Sequence, residues 1–247
     1  MDEQFERLHS TAFIENDPIS IPHSFIQKED IEISGFLTSI LSWGQRKSIL
    51  TKSRELMLRM NNSPFEYIMN SNESDLKQLN GFVYRTFNET DCITMINSLK
   101  MIYLHHGGLE TVFTKGFSEN GAYGGITALH HLLFSYPHLI RTRKHIANPE
   151  TGSAAKRLNM FLRWMVRKNE MGIDFGIWNN IKQADLVCPL DIHSGRTARK
   201  LGILKRPSND WKAAIELTNN LKTLDAQDPT KYDFVLFGLG IEGFSND

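Results

Sequence analysis

Cysteine is scarce in this chain: Cys92 and Cys188 are the only two in 247 residues. They stand far apart and neither belongs to a Cys-x-x-Cys pair, which excludes a disulfide framework and a four-cysteine zinc or iron–sulfur site. A chain of this length buries a sizeable core without such staples, either as one large domain or as two small lobes sharing an interface. Long apolar runs are also missing. No stretch approaches the roughly eighteen apolar residues of a membrane-spanning helix. The start, Met1-Asp2-Glu3-Gln4-Phe5-Glu6-Arg7, is polar and acidic where a secretory signal has basic residues followed by an apolar run. These absences predict a protein of the reducing cytoplasm with no membrane partner.

Neither sign of charge is in excess, with 28 Lys and Arg against 28 Asp and Glu. The usual global mark of a nucleic-acid binder is therefore lacking, and local distribution has to carry that question. Between Arg141 and Lys168 lie Arg141, Arg143, Lys144, Lys156, Arg157, Arg163, Arg167 and Lys168 against the single acid Glu150. A second run, Arg196, Arg199, Lys200, Lys205 and Arg206, follows Asp191 with no acid inside it. Solvated helix faces give such runs too. Two of them beside Lys156 and Asp191 favour a polyanionic partner.

The alternation of half-buried strands is absent as well; Val187 and Phe234-Val235-Leu236 are the nearest candidates, and both are short. What is present is helical spacing. Ile33, Phe36, Leu37, Ile40 and Leu41 mark one buried helix face, Gly44 interrupts it, and Ile49, Ser53, Leu56, Met57 and Met60 restart it until Asn62-Ser63-Pro64. Asn88 or Thr90 can cap a helix carrying Ile93, Ile96, Leu99 and Tyr103 that Gly107-Gly108 stops. Short helices are expected at Leu109–Phe113 and Ile126–Phe134, and a strong one from Ser153 to Lys168. After a turn-rich stretch around Gly172, Gly176 and Asn179-Asn180, further helices are expected from Asp191 to Gly202, from about Asn209 to Leu224, and from Pro229 to Leu239 with Asp228 as N-cap. The fold class is all-α. Residues 1–247 form one unit, or two helical lobes made of about 30–135 and of 1–29 with 136–247.

Lys156 falls near the start of a helix that follows Pro149-Glu150-Thr151-Gly152-Ser153. Free backbone N–H groups and the positive dipole end there attract a phosphate, and Gly152 permits close backbone approach. The dipole and adjacent Arg157 are expected to lower the lysine pKa from its ordinary value of about 10.4, which suits a nucleophile that must first lose a proton. An exposed helix lysine would occupy the same place. Asp191 precedes an apolar-periodic helix, where it serves as an N-cap without any chemistry. A carboxylate fixed in that way also suits the stabilisation of a developing cation.

The segment Pro189-Leu190-Asp191-Ile192-His193, followed by Arg196, Arg199 and Leu201-Gly202, resembles the Pro-Val-Asp-Thr-His...Arg...Arg-Leu-Gly signature of the helix-hairpin-helix DNA glycosylases. Leu41-Ser42-Trp43-Gly44-Gln45 is similar to that superfamily's Leu-Leu-Ser-x-Gln helix end, whose polar residue probes the duplex. The chain from Asp30 to Gly240 also resembles a set of uncharacterised bacterial proteins. The superfamily's hairpin, Leu-Pro-Gly-x-Gly-x-x-Thr-Ala, is replaced by Thr151-Gly152-Ser153-Ala154-Ala155-Lys156-Arg157-Leu158. The long interval from Lys156 to Asp191 is similar to that of the archaeal 8-oxoguanine glycosylase branch.

The resemblance implies a two-lobed helical fold with a cleft between the lobes. It also implies a DNA repair glycosylase/AP lyase, active on an oxidised purine. Lys156 would attack the sugar through a Schiff base and Asp191 would assist. Trp43, Gln45 and Arg46 would fill the gap left by a flipped base or contact the opposite base. Arg141, Arg143, Gly152, Ser153, Arg157, His193, Arg196 and Arg199 would contact DNA, in duplex or single-strand form. No cofactor and no metal are implied, the expected state is a monomer, and the site of action would be the bacterial nucleoid. Two other classes fit the same residues: a nucleic-acid-binding protein that keeps the fold without the chemistry, and an enzyme acting on RNA or nucleotides. His105-His106 and His130-His131 lie on expected helices, where adjacent side chains point to different faces and do not make a metal site. Phe161 and Trp164 could line a base pocket, though aromatics at helical spacing more often build core.

Overall fold

The acidic residues Glu29 and Asp30 open the first long helix of the chain, where they complement its positive end, and apolar spacing continues to Leu41. A computed structural model describes residues 1–8 and 12–241. It divides them into two compact units, residues 16–147 and residues 1–15 with 148–247. In chain order the helices are α1 (Asp2–Leu8), α2 (Ala12–Glu15), α3 (Lys28–Leu41), α4 (Arg46–Arg59), α5 (Pro64–Asn70), α6 (Glu73–Leu76), α7 (Glu89–His105), α8 (Gly108–Leu133), α9 (Lys156–Val166), α10 (Ile192–Lys200), α11 (Trp211–Lys222) and α12 (Asp233–Ile241). One hairpin of two-residue strands, β1 (Val83–Tyr84) and β2 (Phe87–Asn88), precedes α7. The fold is all-α. Among the described residues no helix is long and apolar enough to cross a membrane.

In the unit of residues 16–147, α3 is the central helix. The sequence gives it one apolar face, yet every residue from Ile31 to Leu41 is buried, including Glu32, Ser34, Thr38 and Ser39. Glu32 accepts a hydrogen bond of 2.7 Å from the Tyr103 hydroxyl, which meets the need of a buried carboxylate for a partner. At the end of α4, Asn61 and Asn62 take the left-handed conformation, which asparagine tolerates, and Pro64 opens α5. Asn88 caps α7 in a reciprocal capping box with Asp91. The two helices expected around Leu109 and Ile126 are both present, as the two halves of α8, which Asn120 (φ −153°) and Gly121 (φ +52°) part with non-helical backbone. Its halves meet backbone to backbone: a methyl group on Gly116 would lie 2.5 Å from the Gly124 carbonyl oxygen. Gly116 and Gly124, with no side chain, make this contact possible.

In the other unit, α9 is shorter than the Ser153–Lys168 helix expected. Ser153 instead forms a bridge with Asp210, and Ala155 turns left-handed (φ +47°), so helical geometry begins only at Lys156. At the far end, Phe175 and Trp178 donate backbone hydrogen bonds of 2.8 and 2.9 Å to the carbonyls of Trp164 and Met165, folding the 167–178 loop over the helix terminus. The segment 234–236 belongs to α12 and Val187 to a loop, so neither is a strand. Asp228 does not cap with its side chain. Its carboxylate is taken by Arg167, and Pro229–Tyr232 form a 3-10 turn leading into α12. Phe161 and Trp164 are fully buried core residues. Cys92 and Cys188 are free thiols, both buried, one in each unit.

Candidate active site

Asp191 stands at the N-cap of α10 with extended backbone. Its Oδ1 accepts the Ser194 backbone N–H at 2.9 Å, and the Ser194 hydroxyl accepts the Asp191 N–H in return at 2.9 Å. This is a capping box with serine at the third helical position, a signal readable in Asp191-Ile192-His193-Ser194 but not recognised from the sequence. Asn209 adds a second brace, donating to the Asp191 carbonyl at 2.9 Å and accepting from Arg199 at 2.7 Å. Gly195 makes room for it, since a methyl group there would lie 2.6 Å from the Asn209 side-chain oxygen. One oxygen of Asp191 is thereby fixed by its own helix and the other is left for a partner.

That partner is Lys156, whose Nζ lies 3.1 Å from Asp191 Oδ2. Thirty-five positions apart in the chain, the two residues meet because α9 begins with one and α10 with the other. The side chains retain 31% and 24% of their exposure, so the pair is half-buried and still reached by solvent. Burial pushes the Asp191 carboxyl up, but the Lys156 ammonium and the Ser194 donors outweigh it and hold the group below the usual carboxylate range.

Beneath this pair lies a buried ionic network. Arg163 Nε donates to Asp174 Oδ1 at 3.2 Å and its Nη1 to Asp233 at the start of α12. Arg167 Nη1 donates to Asp174 Oδ2 at 3.0 Å, while its Nε bonds both Asp228 oxygens at 3.0 and 2.8 Å. Three carboxylates thus face two guanidinium groups, leaving one negative charge in excess. Burial pushes Asp233 up to about 6 against the pull of Arg163 and Lys156, and the charges of Asp191 and Asp174 add to the rise. None of this network was legible as a site in the sequence, where Arg163 and Arg167 look like members of a solvated basic run.

The remaining expected contacts divide in the same way. Gly152 is exposed with φ +85° and its carbonyl accepts from Trp211, while the Ser153 hydroxyl accepts from the Ala155 N–H at 3.1 Å. Arg157, beside Lys156, is partly buried. His193 and Arg196 are exposed on α10, and Arg196 has no hydrogen-bond or ionic partner among the described residues. Arg199 is occupied structurally, donating to the carbonyls of Arg206 and Ser208 as well as to Asn209. In the other unit, Arg141 bonds the fully buried Asp91 at 2.9 Å and the Thr86 carbonyl at 2.8 Å, and Arg143 donates to His138 at 2.8 Å. Trp43 and Gln45 occupy the turn between α3 and α4, with Gln45 exposed, and Arg46 is the first residue of α4. His106 bonds the Tyr136 hydroxyl at 3.0 Å, and among the described residues no three His, Cys, Asp or Glu side chains gather as a metal site.

Searches among curated proteins and among solved structures gave no significant match. A family model described as a protein of unknown function, DUF2400, matches residues 17–242. That match spans both units and includes every residue of the Lys156–Asp191 site, and the chain is therefore a member of the DUF2400 family.

Proposed function

We propose that the protein is a DNA glycosylase/AP lyase that removes an oxidised purine of the 8-oxoguanine kind, with Lys156 as nucleophile and Asp191 as its proton acceptor and electrostatic partner. The observation that carries this reading is the 3.1 Å approach of Lys156 Nζ to Asp191 Oδ2, at the starts of two helices. A lysine attacks only as the free amine, and Asp191 Oδ2 is an acceptor already in hydrogen-bond contact with it. The amine would attack C1′ of a flipped nucleotide, and the base would leave with the glycosidic electron pair and take up a proton. The lysine nitrogen would then lose a proton to Asp191 and form a double bond to C1′ as the C1′–O4′ bond opens and O4′ takes up a proton, giving a Schiff base able to support strand cleavage. Asp191, fixed by Ser194, would stabilise the positive charge that develops on the sugar in the first step. In this reading Arg196, His193, Arg157 and the Gly152-Ser153 turn contact the backbone of chromosomal DNA in the cytoplasm, and Gln45 with Trp43 and Arg46 probes the duplex.

Borohydride trapping tests the proposal. Incubation with duplexes carrying 8-oxoguanine or an abasic site, followed by reduction, is expected to give a covalent protein–DNA adduct. Lys156→Gln is expected to abolish it, and Asp191→Asn to slow its formation by several hundred-fold. An adduct that persists in Lys156→Gln sinks the nucleophile assignment. Absence of adduct and of base release across a panel of lesions turns the reading toward a binding protein on the same fold.

A further inference from the structure

The β1–β2 hairpin holds a cation that no carboxylate among the described residues neutralises. Arg85 sits at its turn in the left-handed conformation (φ +54°) and is exposed. Its guanidinium lies 4.4 Å from the ring centre of Trp43 and has no hydrogen-bond or ionic partner among the described residues. Stacking on an indole face leaves the in-plane N–H donors open to an acceptor. Trp43 is itself fixed: the Tyr84 hydroxyl donates to its carbonyl and the two rings meet edge to face at 6.0 Å. Gly44 completes the fit, for a methyl group there would stand 2.5 Å from Arg85 Nη1. Two separate pieces of chain, the α3–α4 turn and the hairpin, therefore hold a bare guanidinium in one place. The neighbours Gln45 and Lys47 are exposed, and their side chains likewise have no partner among the described residues.

Positions elsewhere in this unit show what an arginine does when a protein acceptor is within reach. Arg59 bonds Glu55 and two backbone carbonyls, and Arg141 bonds Asp91. Arg85 has the same fork of donors with no acceptor for them among the described residues, at a place preorganised by an aromatic platform. We infer that Arg85, stacked on Trp43, is a phosphate-binding residue of a duplex DNA interface formed by the α3–α4 turn and the β1–β2 hairpin. The inference rests on the nucleic-acid reading above but not on its chemistry. A planar guanidinium with free in-plane donors matches the two oxygens of a phosphodiester, and such a contact releases a counterion when it forms.

The experiment is a salt titration of binding to an undamaged, fluorescently labelled duplex, read by anisotropy between about 50 and 200 mM salt. The slope of log K against log salt is expected to become less steep by about 0.9 in Arg85→Gln, the share of one phosphate contact. Arg85→Lys is expected to keep most of the slope, and Lys115→Gln, an exposed lysine of α8 without a side-chain partner among the described residues, all of it. Circular dichroism melting confirms that each variant is folded. An Arg85→Gln slope equal to wild type, a drop equally large in Lys115→Gln, or no duplex binding by the folded wild type overturns the inference. Adduct trapping separates the two proposals. Trapping with an unchanged Arg85→Gln slope removes Arg85 and spares the glycosylase, and a changed slope without trapping does the reverse.

Discussion

The arginines of α9 and the arginine of the β1–β2 hairpin are the same residue type put to opposite uses. Arg163 and Arg167 belong to a long basic run, yet both are buried and saturated by Asp174, Asp228 and Asp233. Arg85 belongs to no run, and it is exposed and without an ionic partner among the described residues. The lesson is that a cluster of positive charge along the chain says little about where positive potential is available. What counts is whether a carboxylate from a distant segment has already been folded onto it, as in α9, or whether only an aromatic ring holds the cation, as at Trp43.

Breaking the buried side of this contrast is expected to have the largest effect. Arg167→Met strands Asp228 inside the protein and leaves Asp174 with Arg163 alone, and should cost about 3–5 kcal/mol, the usual penalty for removing one partner of a buried ionic group. Denaturant unfolding midpoints measure it. A loss under about 1 kcal/mol would mean that water reaches the network. Gly116→Ala attacks the other unit through packing alone. A side chain placed 2.5 Å from a carbonyl oxygen in α8 forces the helix halves apart, and a cost of about 1–3 kcal/mol is expected. Melting of that variant with and without duplex would show whether the loss is confined to stability.

Asp233 sharpens the comparison through pH. Its folded value of about 6 lies above the ordinary 3.8, so the native state binds more protons than the unfolded chain between those limits. This contribution destabilises the fold as pH rises from about 4 to about 6 and is constant above that. Asp233→Asn removes the titration. The stability of the variant relative to wild type should therefore grow across that interval and then level off in unfolding curves taken at successive pH values. A difference independent of pH would show that Asp233 stays ionised throughout. The smallest effect is expected on the surface of α10. Arg196→Gln should reduce the salt slope of duplex binding by about 0.9, while Arg199→Gln, which removes three internal hydrogen bonds, should lower melting temperature and leave the slope nearly unchanged.

Much of the helical framework was legible because its signals are local. The spacing from Ile33 to Leu41, the Asn88 cap and the Asp191 cap each occupy a few consecutive residues, and α3, α7 and α10 follow them. Lys156 and Asp191 were named from residue type and motif, and the structure brings their side chains together. What escaped depends on distance along the chain. Arg163 finds Asp233 seventy positions away, and no periodicity encodes that pairing. The hairpin that presents Arg85 has strands of two residues, too short to show alternation, and no periodicity places Gly116 against Gly124 across the break in α8. Ser153 illustrates a different failure: it looks like a helix cap by type, but a bridge to Asp210 draws its backbone away.

The two thiols offer an internal clock for each half of the molecule. Cys92 lies in the unit of residues 16–147 and Cys188 in the other. Burial pushes the first thiol up to about 12 and the second well above its usual range. Neither can form a reactive thiolate at neutral pH without leaving its shelter. Alkylation by a small electrophile, followed peptide by peptide in a mass spectrometer, therefore reports how often each unit opens, with no engineered label.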